Sequence, residues 1–314
     1  MTYDQQYLLT YNPHNASAAY GVNLYIDEGD DKEQRIQFIA TINYCGMMDE
    51  TMSIFHLRKE DLVVNGKRSD EHSINLAKEC SKAFYPITVI TDQRGLLAAI
   101  RIEGFMERWK QQRVQLERYF GRATAHQYMD AAEAALNNSK SSIKLVYGDY
   151  FFAQYFRLVH GLQSVSKGIN FTSQLHLVPF KDAQAFKCKQ TINIDLLKDI
   201  TSDSYEVEQQ GQMCDMYKVR DLFPNHYPEV KLDEQMVTSH FSMTYQLQKS
   251  SNFIEAMSGH YQLEANEFKL LSIRMEAYHL ADKQIPAEKD KEWKKMATKN
   301  KKSFLENIID YLFT

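Results

Sequence analysis

Proline, glycine and cysteine are all scarce in this chain of 314 residues, at 6, 12 and 4 copies. So few Pro and Gly argue against long flexible linkers. Cys45, Cys80, Cys188 and Cys214 stand far apart and form no CxxC pair, the pattern of reduced, inert thiols rather than of a disulfide framework or zinc site. No stretch approaches the roughly 20 apolar residues of a spanning helix. The first residues, Met1 to Gln6, lack the basic flank and apolar run of a secretory leader, so a cytoplasmic location is expected.

Charge of one sign is missing too. The net value of -4 gives no field for collecting nucleic acid. Neither GxxxxGK[ST] nor GxGxxG occurs, so the backbone cradles that hold nucleotide phosphates are not encoded. HExxH, GxSxG and the calcium-loop pattern are absent as well, and no cofactor or catalytic residue is expected.

What the chain has is apolar residues at 44% and an abundance of aromatics, with Tyr 19 and Phe 17, enough for a large packed core. Alternation predicts strands over Tyr20 to Ile26 and Ile36 to Tyr44, then Met52 to Leu57 and Leu62 to Val64 entering a tight Asn65-Gly66 turn. A short helix capped by Ser73 ends at Pro86, and a hairpin around Asp92-Gln93-Arg94-Gly95 follows. From Ile102 to Leu162 the period becomes helical. Two stretches have ordinary amphipathic faces, and Ile143 to Leu162 is apolar on all sides, as a helix surrounded by protein would be. Strand patterns return at Leu175 and at Phe186 to Ile194. Asp195 to Tyr217 is ambiguous. A three-strand meander then runs from Phe241 to Leu280, before an amphipathic terminal helix.

These readings predict an α+β fold: antiparallel, curved sheets from the N- and C-terminal halves packed around a central helical block. The segments are 1–101, a β-rich stretch with one short helix; 102–163, the helical block; 164–282, β-rich; and 283–314, the amphipathic helix. Together they are expected to form one compact unit.

Four constellations could carry function. Carboxylates from Asp27 to Glu33 suit a solvated turn better than a calcium site. His240, His260 and His279 fall on successive strands, but a simple hairpin register brings only the first two together, so no metal site is expected. Trp109, Arg113, Asp149, Tyr150, Tyr155 and Arg157 place polar groups among aromatics in the helical block, the makings of a small-ligand pocket. The plainer reading is a helix cap at Asp149 and arginines stacked on rings. Finally, Trp293, Phe304, Ile308 and Leu312 form an apolar stripe beside a lysine cluster, suited to a partner groove or to docking on the chain's own body.

The leading expectation is therefore a non-enzymatic binding or scaffolding protein within an assembly, with a protein partner or further copies of itself. A carrier or sensor that encloses an apolar small molecule between sheet and aromatic helix comes second, and a hydrolase-like enzyme third.

Overall fold

The computed structural model describes residues 7–29, 33–65, 72–101, 104–121, 123–137, 146, 148–157, 159–160, 163–164, 168–175, 184–193, 195, 199–223 and 232–281. The strands are β1 Tyr7–Leu8, β2 Ala18–Asp27, β3 Gln34–Met47, β4 Ser53–Val64, β5 Ile87–Thr91, β6 Leu97–Arg101, β7 Gln163–Ser164, β8 Ile169–Leu175, β9 Gln184–Ile192, β10 Ser204–Met213, β11 Thr238–Gln248, β12 Ile254–Ala265 and β13 Phe268–His279. The helices are α1 His72–Ser81, α2 Phe105–Tyr119, α3 Ala123–Asn137, α4 Tyr150–Tyr155 and α5 Val219–Leu222, with a 3-10 turn at Pro13–Asn15.

Eleven strands form one antiparallel sheet in the order β6-β5-β4-β3-β2-β13-β12-β11-β10-β9-β8, and β1 pairs with β7 separately. This corrects the α+β expectation. The two strand-rich halves do not build two sheets on a helical layer. They join edge to edge where β2 meets β13, in a register that runs from Ser272↔Asp27 to His279↔Tyr20. Strand far outweighs helix, and among the described residues there is no central helical block. Within the expected Ile143 to Leu162 helix, Tyr150–Tyr155 stands as a short helix and Val146 is helical too, but Gly148 and Asp149 break the run between them. Six residues span about 9 Å, too little to organise a sheet this wide. They are apolar all round because the sheet receives them.

The alternation that predicted the strands sorts each one onto two faces. Tyr20, Val22 and Leu24 on β2 face the same way as Phe38 and Ala40 on β3, and across the seam as Met275 and Ala277 on β13; all are buried. The same parity continues through Tyr261, Phe241, Val207 and Cys188 to Phe171 at the far edge. We call this the inner face. On the other face, Arg274 stacks on Tyr25, with its guanidinium carbon 4.8 Å from the ring centroid, and pairs with Glu33.

Local chemistry sets the turns. Asp92 Oδ1 accepts from the amides of Arg94 at 2.8 Å and Leu96 at 2.9 Å, and Gly95 supplies a φ of +81° that other residues resist. β4 is one strand rather than the two predicted pieces, carried past Arg58 by a bulge at Asp61, whose φ is +54°. The predicted meander stands as β11 to β13. β10, in the stretch read as ambiguous, is a full strand of ten residues.

Candidate functional site

α4 is fixed to the inner face by its rings. Phe151 lies 5.5 Å from Tyr20 and 6.4 Å from Phe38 between centroids, Tyr155 lies 5.6 Å from Tyr20, and Phe156 just beyond the helix lies 5.9 Å from Phe55. Tilted and edge-on pairs of this kind add to the gain from burying the ring area. Two phenols tie the layers together: Tyr155 donates to the Ala16 carbonyl at 3.3 Å, and Tyr245 on β11 donates to the Gln154 carbonyl at 3.1 Å.

The helix begins at Asp149, whose Oδ1 accepts from the Phe152 amide at 3.3 Å as an N-cap. The same carboxylate, 7% exposed in its side chain, forms an ion pair with Lys59 of β4. Lys59 points to the inner face with its ammonium 4.0 Å from the centre of the Phe38 ring. This charge is therefore matched on every side.

Arg157, two residues past the other end of α4, is 5% exposed and has no such match. One guanidinium nitrogen donates to Gln154 Oε1 at 3.1 Å, another to Cys188 Sγ at 3.0 Å, and the plane sits 4.2 Å from the Phe241 centroid. No carboxylate among the described residues pairs with it, and its Nε has no hydrogen-bond partner. Tyr150 Oη, Tyr261 Oη and Gln154 Nε2, all buried, are likewise unpartnered. Burial raises the Tyr150 and Tyr245 phenols, and the Arg157 charge pulls against that rise in both. Burial also raises the Cys188 thiol, again opposed by Arg157. Beside this cluster runs a chain of amides: Gln209 donates to Gln190 at 2.8 Å, and Gln190 to the Val159 carbonyl at 3.2 Å.

β10 makes the room. Gly211 pairs with Cys188 in the ladder, and a Cβ at 211 would lie 2.8 Å from Cys188 Sγ. Sequence reasoning missed Cys188, Gln154, Tyr261 and Gly211. The available signal was a glutamine and a glycine at inner-face positions of a strand, where apolar residues are the rule.

Of the six residues predicted for a ligand pocket, Tyr150 and Arg157 share this cluster, while Asp149 stands at the opposite end of the helix with Lys59 and Tyr155 turns toward Ala16 and Tyr20; all four lie on or beside α4. Trp109 and Arg113 do not. Trp109 is buried on α2 and donates to Glu133 of α3 at 3.0 Å, while Arg113 pairs with Glu117 at 2.9 Å, with Asp130 at 2.6 Å and with Glu133. They staple α2 to α3. Trp293, Phe304, Ile308 and Leu312 lie outside the described residues.

Among the described residues no three His, Cys, Asp or Glu side chains are placed to hold a metal ion. His240 faces Gln262 in the ladder and His260 faces Ser242, so the two sit diagonally; His260 Nε2 lies 3.1 Å from Ser272 Oγ. His279 is on the inner face, its ring 5.0 Å from Phe253. Asp27 and Glu33 are taken up in ion pairs with Lys269 and Arg274.

Near the other flank of α4 is a small cavity of about 10 Å³, bounded by Tyr11, Tyr155, His160 and Asn252. It has room for about one water. His160 Nε2 lies 3.0 Å from the Asn252 carbonyl oxygen, and burial lowers the proton affinity of the ring against that bond. A wide groove of about 710 Å³ lies along β8 to β11, with Lys187, Lys189 and His240 on its rim. No helix among the described residues is long and apolar enough to cross a membrane.

No family model matches this chain, and no curated protein does. Among solved structures it is similar to one described as "Lipid-protein interactions in lipovitellin", with 9% identity and a TM-score of 0.45, over 86% of this chain. The match spans 26% of that much longer chain.

Proposed function

We infer that the chain works by binding rather than by catalysis, and that its ligand is an apolar molecule carrying an acidic group, taken between the inner face and α4. The observation that supports this is the buried guanidinium of Arg157, which meets no carboxylate among the described residues. A guanidinium stays charged in proteins, and a buried charge is costly unless matched. A thiol, an amide oxygen and a ring face match it only in part, whereas a carboxylate would match it in full, with the Tyr150 and Tyr261 hydroxyls as further donors. The aromatic underside of α4 offers the apolar contact. A long ligand requires this helix of six residues to lift off the sheet, releasing the Tyr155 and Tyr245 hydrogen bonds. The four cysteines, all free, suit residence in the cytoplasm.

Titration with a fluorescent long-chain fatty acid and with the matching alcohol tests this reading. The acid is expected to bind at least ten times more tightly to the native protein than to Arg157→Met, and the alcohol to bind both alike. Equal affinity of the acid for both proteins overturns it.

A second reading, assembly with a protein partner or with further copies, is supported by the open edge of the sheet at β8, beyond which no described strand lies. An unpaired strand edge is a ready template for another chain.

A further inference from the structure

The two ends of the sheet differ in how they are finished. β6 at one end has five residues, closes on Arg101, and its ladder with β5 slips at Ile90/Thr91. Short length, a terminal charge and an irregular ladder all discourage a further strand. β8 at the other end carries none of these devices. Its sequence, Ile-Asn-Phe-Thr-Ser-Gln-Leu, has no charge and no proline, and its ladder with β9 runs from Ile169↔Gln190 to Leu175↔Gln184 without a slip.

We propose that β8 is a self-association edge, at which a second copy of this chain adds its own β8 antiparallel about a two-fold axis through Thr172. This rests on the assembly reading above and names its partner and register.

The strand is complementary to itself in one register that uses all seven residues. Ile169 meets Leu175 of the second copy, Asn170 meets Gln174, Phe171 meets Ser173, and Thr172 meets Thr172. Each residue pairs with one of its own parity, so two conditions hold together. Inner-face side chains meet inner-face side chains, with aliphatic against aliphatic and amide against amide at the ends. Backbone groups that point away from β9 also meet their equals, as an antiparallel ladder requires. No facing pair brings like charges together. Lys187, which sits opposite Thr172 in the β8–β9 ladder, would lie three strand spacings from its equivalent, about 14 Å, beyond the screening length of roughly 8 Å in physiological salt. The outer-face positions Asn170, Thr172 and Gln174 are exposed in the single chain, and Phe171 on the inner face is half-buried, as expected of an edge still open on one side.

Sedimentation velocity across a concentration series, with Thr172→Asp and Thr172→Cys beside the native protein, tests the proposal. The native protein is expected to sediment as a dimer. Thr172→Asp places two carboxylates across the axis, and is expected to raise the dissociation constant at least tenfold while leaving the melting temperature unchanged at concentrations where both proteins are monomeric, since residue 172 is exposed. Under mild oxidation Thr172→Cys is expected to give a disulfide-linked dimer that the native cysteines do not give. A native protein that stays monomeric at every concentration overturns the proposal and, with it, self-assembly as a reading. A dimer that Thr172→Asp leaves intact overturns the β8 edge alone and points self-assembly to another surface.

Discussion

The two ends of α4 carry opposite charges and treat them in opposite ways. Asp149 at the start is capped by its own helix and paired with Lys59. Arg157 beyond the end is just as buried, yet its neighbours are an amide, a thiol and a ring. Position past a helix C-terminus favours a cation, though six residues supply little dipole. Groups nearby that are able to shed charge do so: burial holds His160 toward its neutral form. A guanidinium lacks that escape. Asp149 is thus explained by the fold it stabilises, whereas Arg157 finds no carboxylate among the described residues, the mismatch that the proposed ligand would resolve.

Breaking the matched end has the largest expected effect. Asp149→Ala removes a cap and leaves Lys59 among aromatic rings without its counter-ion, for a loss of about 3 to 4 kcal/mol, read from urea unfolding. An alanine there that unfolds at the native midpoint would make the two ends equivalent.

Acid should reveal the groups that burial keeps neutral. His56 on β4 is 2% exposed, and its pKa falls from 6.5 to about 4 through burial first and the Arg58 charge second. The folded value lies below the unfolded one, so the unfolded chain binds the extra proton. Stability is therefore full above pH 6.5 and falls as pH drops toward 4, by roughly 3 kcal/mol from this residue. His56→Gln should flatten the loss measured by thermal melts across that window. An unchanged slope would assign it elsewhere.

A smaller cost is expected at the unmatched end for Gly211→Ala, whose Cβ would press on the Cys188 sulfur that Arg157 uses: about 2 kcal/mol by the same unfolding measurement. Arg157→Met should have the smallest effect on stability, within about 1 kcal/mol in either direction, because relief of an incompletely matched buried charge offsets the broken hydrogen bonds to Gln154 and Cys188. A loss as large as that of Asp149→Ala would show that Arg157, too, is there for the fold.

Much of the fold was legible where alternation was clean. β2, β3 and the β11–β13 meander follow from Tyr20, Val22, Leu24 and their counterparts, because a half-buried strand must alternate. β10 was not, since Gln209 and Gly211 occupy two of its inner positions and hide the period. The architecture was missed for a different reason. Which strands of the two halves pair depends on contacts some 250 residues apart, as between Tyr20 and His279, and no local pattern encodes them. Aromatic density from Tyr150 to Phe156 was read as a long helix because a buried helix and a buried short turn of helix look alike over one or two turns. For the site, the residues of α4 and its flanks were legible as polar groups among rings. Their partners on β9, β10, β11 and β12 were not, being brought in only by the sheet.

The seam between β2 and β13 also orders events during synthesis. β2 leaves the ribosome some 250 residues ahead of β13, the last of the described strands, so the two flanks of the seam stay apart until residue 279 has emerged. Closing so long a loop costs little more than closing a shorter one, because the entropy grows only with the logarithm of length. The exposure comes from waiting: until then the growing chain displays the bare flank of β2, rich in apolar side chains, and a chaperone or the chain's own later strands must be the first to meet it.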